Sequence, residues 1–198
     1  MPRPKTHDEN LRVRLLDRAG ELLSAEGPAA LSLRRLASEC DTSTTAVYSL
    51  FGGKPGLVRE LYLEAFQRFG DRLSAVPATD DPVEDLVQLG LAYRAGALSD
   101  PHLYAVLFNQ VIPGFVPDPE AATQVRGTFA PLLAAASRGV AEGVLADQPP
   151  QEIALAAWAN AHGLVSLELT APTLLGSAGV EQMYETALRA HVNGWRRR

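Results

Sequence analysis

Along almost the whole chain, apolar residues recur at spacings of three and four, the period of a helix with one buried stripe, and no run alternates apolar with polar residues as a half-exposed strand would. The sharpest instance is residues 31–54, LSLRRLASECDTSTTAVYSLFGGK. Leu33, Leu36, Ala37 and Cys40 share one helical face, and Val47, Leu50 and Phe51 resume the stripe after a break at Asp41, Thr42 and Ser43. Side chains of those three types compete for backbone hydrogen bonds and favour turns and caps, so Ser43 is expected to cap the second helix, as Ser32 caps the first. Helices of about two turns cannot hold their shape alone in water and must pack on something larger. The layout is that of a helix-turn-helix.

The same pattern predicts the remaining elements in order. Residues 1–8 are polar with two prolines and read as an arm. Leu11, Leu15, Leu16, Ala19, Leu22 and Leu23 define a first helix from Glu9 to Glu26, which Gly27 and Pro28 stop. A connecting helix over 54–76 carries Leu57, Leu61, Ala65, Phe66, Phe69 and Leu73 on one stripe. Asp81, Pro82 and Glu84 read as N-cap, first-turn proline and capping-box acid of a helix to about Leu98. Asp100–Pro101 starts another, through about Val111, before a proline-rich loop at 112–119. Asp118–Pro119 opens a long helix to about Leu145, which Pro131 should kink or cut. Helices over 151–169 and 180–195 complete an all-α chain of nine helices, three plus six, divided into residues 1–53 and 54–198.

At 198 residues, with 46% hydrophobic and 21% charged residues, the chain suits one large domain or a small one fused to a larger one. No apolar run reaches the roughly 18 residues of a membrane span, and MPRPKTHDEN lacks the core of a signal peptide, so a cytoplasmic protein with no membrane partner is expected. The single cysteine, Cys40, excludes an internal disulfide and reads as a small core residue. The net charge is −5, but residues 1–60 hold nine Lys or Arg against eight Asp or Glu, leaving nine against fifteen beyond, so a local basic face near the start is possible. His7, His102, His162 and His191 are scattered, no HExxH, GxSxG, GxGxxG or phosphate loop occurs, and His162 and Glu168 are too far apart on one helix to share a substrate. No enzyme activity, metal or cofactor is expected.

Residues Leu31 to Lys54, with Tyr48, Phe51 and Lys54 in their order, resemble the DNA-binding signature of the tetracycline-repressor (TetR) family. The resemblance implies a three-helix reading head in which Arg34, Thr44, Thr45, Ala46, Tyr48, Ser49 and Lys54 meet double-stranded DNA, Tyr48 and Lys54 at phosphates. The chain departs from the family pattern at Asp41, where Gly is usual, at Thr45, where a small residue is common, and at Ser49, where His is frequent.

A second segment, WANAHGLVSLEL, places Trp158, His162 and Gly163 in an order similar to the WHG type of TetR C-terminal domain. This helix is apolar nearly all round and must be buried on most sides. The resemblance implies that the last two helices pair with their copies in a homodimer, with Ala157, Ala161, Leu164, Leu167, Val180, Met183 and Ala187 at the contact. One short recognition helix reads too few bases to find an operator, so two on a twofold axis would read a palindrome with half-sites about 34 Å, or a multiple, apart. Phe69, Tyr93, Tyr104, Phe108, Asn109, Phe115, Trp158 and His162 are the candidates for a pocket that takes a small hydrophobic effector and releases a repressor from DNA. The alternative is a constitutive or protein-partnered helix-turn-helix regulator without an effector.

Overall fold

The computed structural model describes residues 5–108, 116, 118–175 and 179–197, with the side chains of 5–8, 174 and 175 excepted. Among them are eleven helices: α1 (Lys5–Glu26), α2 (Leu33–Glu39), α3 (Thr44–Phe51), α4 (Lys54–Ser74), α5 (Pro82–Ser99), α6 (Pro101–Phe108), α7 (Pro119–Thr128), α8 (Ala130–Ala141), α9 (Pro150–Thr170), α10 (Pro172–Leu175) and α11 (Val180–Asn193). The only β pairing among the described residues is an isolated bridge between Leu145 and Arg196. The all-α expectation therefore holds, and the count of nine does not.

Four details differ from the sequence reading, each for a local reason. The first helix begins at Lys5, inside the stretch expected to be an arm, of which residues 1–4 lie outside the described ones. The helix expected over 118–145 is cut at Pro131, one of the two outcomes expected there, but its second part ends at Ala141 rather than near Leu145. Pro131 occupies the first turn of α8, where its missing N–H costs nothing, and α7 ends before it. Asp81 caps α5 by accepting from the N–H groups of Val83 at 2.9 Å and Glu84 at 3.2 Å. The reciprocal half of the capping box is absent: the Asp81 N–H donates to Thr79 Oγ1, and the Glu84 carboxylate is held by Arg189 at 2.6 Å and Gln88 at 2.7 Å. Finally, α9 is not buried on most sides, since Leu155 is 54% and Leu167 43% exposed.

The chain packs as two compact units, residues 1–68 with 100–125, and residues 69–99 with 126–198. This division cuts the chain differently from the expected boundary after residue 53. In the first unit, Leu15, Leu16, Ala19, Leu22 and Leu23 of α1, Leu36 of α2 and Val47 of α3 form a core closed by Leu57, Val58, Leu61 and Ala65 of α4 and by Leu103 and Val106 of α6. A three-helix head has little core of its own, and here α4 and α6 supply the remainder. In the second unit, α5, α8, α9 and α11 surround Val83, Leu86, Val87, Ala136, Leu145, Ile153 and Val192.

Candidate nucleic-acid interface

The site is built at the turn between α2 and α3. Ser32 Oγ accepts from the Arg35 N–H at 3.3 Å and Ser43 Oγ from the Ala46 N–H at 3.1 Å, so both helices start where the sequence places their caps. Asp41 is the one described residue other than glycine with a positive φ, 51°, in the position where the family pattern has Gly. Leu36, Ala37, Cys40, Val47 and Phe51 are buried, which turns the opposite side of α3 outward.

That outward side carries Thr45, Tyr48 and Ser49 as exposed residues, with Thr44 and Ala46 half-buried. Tyr48 is 54% exposed, too open for a packing residue. The next helix is fixed close by. Gly52 caps α3 with a left-handed φ of 68°, its N–H donating to the Tyr48 carbonyl at 2.8 Å. At Gly56 a Cβ would lie 1.9 Å from the Phe51 carbonyl oxygen, so only glycine permits α4 to start there. This contact, which the sequence reading missed, seats Lys54 next to the exposed face. Lys54 is exposed, and its Nζ donates to the Pro28 carbonyl at 3.1 Å, which leaves two further N–H groups.

The neighbouring arginines divide sharply. Arg34 is exposed and has no ion pair among the described residues. Arg35 is committed, with Glu26 at 2.7 Å and Glu39 at 2.7 Å, and Arg18 shares Glu39 at 2.7 Å. Hydrogen bonds from Arg35 hold the Glu26 carboxyl below its ordinary range, and those from Arg18 and Arg35 do the same for Glu39. On the other side of α1, Arg12 and Arg68 hold Glu64; burial alone would raise its carboxyl, and the two guanidinium groups outweigh that and lower it.

The aromatic candidates are distributed over both units. In the first unit, the rings of Tyr104 and Phe108 lie 4.9 Å apart, and Phe108 lies 6.3 Å from Phe66. In the second unit, Phe69 packs edge-on to Tyr93 at 4.8 Å, the Tyr93 hydroxyl and His162 Nδ1 hydrogen-bond at 2.8 Å, and Trp158 lies 5.7 Å from His162. Burial lowers the His162 pKa, which favours the neutral ring. Asn109 and Phe115 lie outside the described residues. Glu168 gives both oxygens to Arg94, at 2.7 and 2.8 Å, and so is occupied away from His162.

On α9 the exposed residues Leu155, Ala159, Gly163 and Leu167 repeat every fourth position and carry no charge. Ala157 and Ala161, expected at the dimer contact, are instead buried inside the unit at 6% and 2% exposure, because they lie on the opposite face of the helix. Leu164, Val180 and Ala187 are half-buried, and Met183 is 37% exposed. Tyr184, fully buried, ties three helices together: its hydroxyl lies 3.2 Å from the Gly90 carbonyl of α5 and 3.0 Å from the Ala161 carbonyl of α9. No group of three or more potential metal ligands and no helix able to cross a membrane occurs among the described residues.

Residues 15–61 match the bacterial regulatory proteins of the tetR family, and residues 86–191 match the tetracyclin repressor-like C-terminal domain. The HTH-type transcriptional regulator Rv1816 of Mycobacterium tuberculosis is 28% identical over 144 residues, 68% of this chain and 59% of the relative. This chain thus spans less than two thirds of the length of the curated relatives it matches. Among solved structures, a Rhodococcus sp. RHA1 protein of unknown function superposes with a TM-score of 0.79 at 26% identity, covering 94% of this chain and 96% of that one. A TetR family transcription regulator from Marinobacter aquaeolei VT8 shares the fold, with a TM-score of 0.80 at 18% identity, 98% of this chain and 100% of its own. The two family descriptions and that of Rv1816 are of regulators rather than enzymes, and because the C-terminal match alone spans more than half of the residues, the chain belongs to the tetR family of bacterial regulatory proteins.

Proposed function

We propose that this chain is a sequence-specific DNA-binding transcriptional regulator of the cytoplasm, a homodimer that represses from a palindromic operator and is released by a small hydrophobic effector. The observation that carries the reading is the face of α3: Thr45, Tyr48 and Ser49 stand open on a capped helix, with Lys54 seated beside them by the Gly56 contact. Short hydroxyl side chains there suit base edges, with Ala46 beside them for a thymine methyl. Tyr48, Lys54 and the uncommitted Arg34 suit phosphates.

Homodimerisation is supported by the uncharged stripe Leu155, Ala159, Gly163 and Leu167 of α9, with Met183 of α11 also exposed. A Cβ at Gly163 would meet nothing within 4 Å among the described residues, which supply no packing reason for this glycine. Close approach of a second α9 would supply one. Trp158, His162 and Gly163 support the WHG subtype, and Phe69, Tyr93, Trp158 and His162 support an effector site with apolar walls and one hydrogen-bonded polar pair. No unpaired charge stands among those four, which favours a neutral effector. Residues 1–53 would then read DNA while residues 54–198 dimerise and respond to ligand, with α4 carrying the response to the spacing of the two heads.

Selection of bound sequences from random duplex DNA tests the reading. A palindrome with half-sites about one helical turn, or a multiple of it, apart is expected. Failure to enrich any sequence at low salt overturns DNA binding. Release of that duplex by members of a panel of neutral hydrophobic compounds tests the effector separately.

A further inference from the structure

We infer that Arg14, on α1, is a further DNA-phosphate contact of the reading head, an inference that rests on the proposed DNA binding. Seven arginines lie between residues 9 and 68, and five of them are spent on carboxylates of the same unit. Arg12 holds Glu60 and Glu64, Arg18 holds Glu21 and Glu39, and Arg35 holds Glu26 and Glu39. Arg59 holds Asp118 and Glu120, and Arg68 holds Asp17 and Glu64. Arg14 and Arg34 remain exposed, with no ion pair or side-chain hydrogen bond among the described residues.

The position of Arg14 is fixed by its backbone. Cys40 Sγ donates to the Arg14 carbonyl at 3.8 Å, and one turn further along α1, Arg18 Nε meets Glu39 at 2.7 Å. Residues 14 to 18 of α1 therefore lie against the C-terminal end of α2, and the turn at 41–43 that leads into the recognition helix starts beside Arg14. The Arg18–Glu39–Arg35–Glu26 chain neutralises the cations around it. Arg14 is thus the guanidinium at this corner still able to offer its planar fork, which matches two phosphate oxygens at once. A head whose residues 1–60 differ by a single charge, nine basic against eight acidic, attracts DNA through the few cations left unneutralised, and Arg14 is one of them.

The test is the salt dependence of binding between the intact protein and the selected duplex. Each phosphate neutralised contributes about 0.9 to the slope of log K against log salt. A dimer makes the contact twice, so Arg14→Gln should lower the slope by about two, whereas Arg14→Lys should keep most of it. Arg18→Gln, whose cation is already neutralised, should leave the slope unchanged. Arg14→Glu, should the Gln variant melt abnormally, must weaken binding beyond Arg14→Lys. An Arg14→Gln slope equal to that of the wild type overturns the assignment; absence of binding by the wild-type protein overturns the DNA-binding proposal instead.

Discussion

The two packing units spend their polar groups in opposite ways. The first has a core of Leu, Ala, Val, Phe and Cys side chains, and most of its arginines lie outside it in ion pairs, among them those with Glu9, Asp17, Glu26, Glu39, Glu60 and Glu64. The more exposed of these pairs, at Glu9 and Glu26, contribute about 0–1 kcal/mol each, so they orient helices more than they hold the fold. The second unit takes polar groups inside. Asp85, 3% exposed, accepts from the Thr79 N–H at 3.0 Å and pairs with Arg138, while Tyr184 is fully buried with its hydroxyl on two carbonyls. What each unit leaves uncommitted differs accordingly. Around α3 the first leaves cations and hydroxyls, Arg14, Arg34, Thr45, Tyr48 and Ser49; on α9 and α11 the second leaves apolar side chains, Leu155, Leu167 and Met183. A polyanion needs the former and another protein surface the latter, and the proposed DNA and dimer contacts rest on that contrast.

The strongest way to break this contrast is to put charge on the apolar stripe. Leu167→Arg should convert the dimer to a monomer in sedimentation and weaken operator binding by roughly a hundredfold or more, because half of the base contacts, at 1–3 kcal/mol each, are lost together. Gly163→Ala sharpens the point. If α9 faced only water, alanine would stabilise its helix by about 1 kcal/mol. Against a second α9 the added methyl should instead weaken dimerisation, and an unchanged dimer constant would remove that partner from Gly163.

On the reading head, Lys54→Ala should weaken binding to every duplex by roughly tenfold at physiological salt and lower the salt slope by about two per dimer. Arg35→Gln, on a cation already held by Glu26 and Glu39, should leave the slope where it was. Equal slopes for the two variants would erase the distinction between committed and uncommitted cations. In the second unit, Tyr184→Phe should cost about 1 kcal/mol in urea unfolding, since both acceptor carbonyls belong to helices and keep their own bonds. The dimer and the salt slope should not change.

The reading head was largely legible in the sequence because its signals are local. Ser32, Ser43, Asp100 and Asp118 each cap within three residues of themselves, and the structure finds all four hydrogen bonds where the sequence places them. The signals that failed are those a distant residue overrides. Glu84 has the spacing of a capping box, but Arg189, 105 positions away, offers two charged hydrogen bonds in place of one backbone N–H. Gly56 is silent in sequence, as one more glycine in a first turn, until the Phe51 carbonyl is seen against it. The face of α9 misled for a third reason: an apolar helix reads as buried, yet Leu155 and Leu167 stand exposed.

The smallest expected effect is at Asp41, and it separates backbone conformation from charge. With φ at 51°, this residue sits where an ordinary side chain costs roughly 1–2 kcal/mol, less for Asp, whose short polar side chain tolerates the left-handed region. Glycine would remove that strain, yet it would also give back about 0.4–1 kcal/mol by loosening the unfolded chain. The two terms nearly cancel, so Asp41→Gly should shift the stability by no more than about 0.5 kcal/mol in urea unfolding. Asp41→Ala keeps the strain without the polar compensation and should lose about 1 kcal/mol. Both substitutions remove the same negative charge beside the recognition helix. An equal gain in DNA affinity at low salt from the two would therefore assign the effect to charge, whereas a gain confined to Asp41→Gly would assign it to a turn that relaxes on binding.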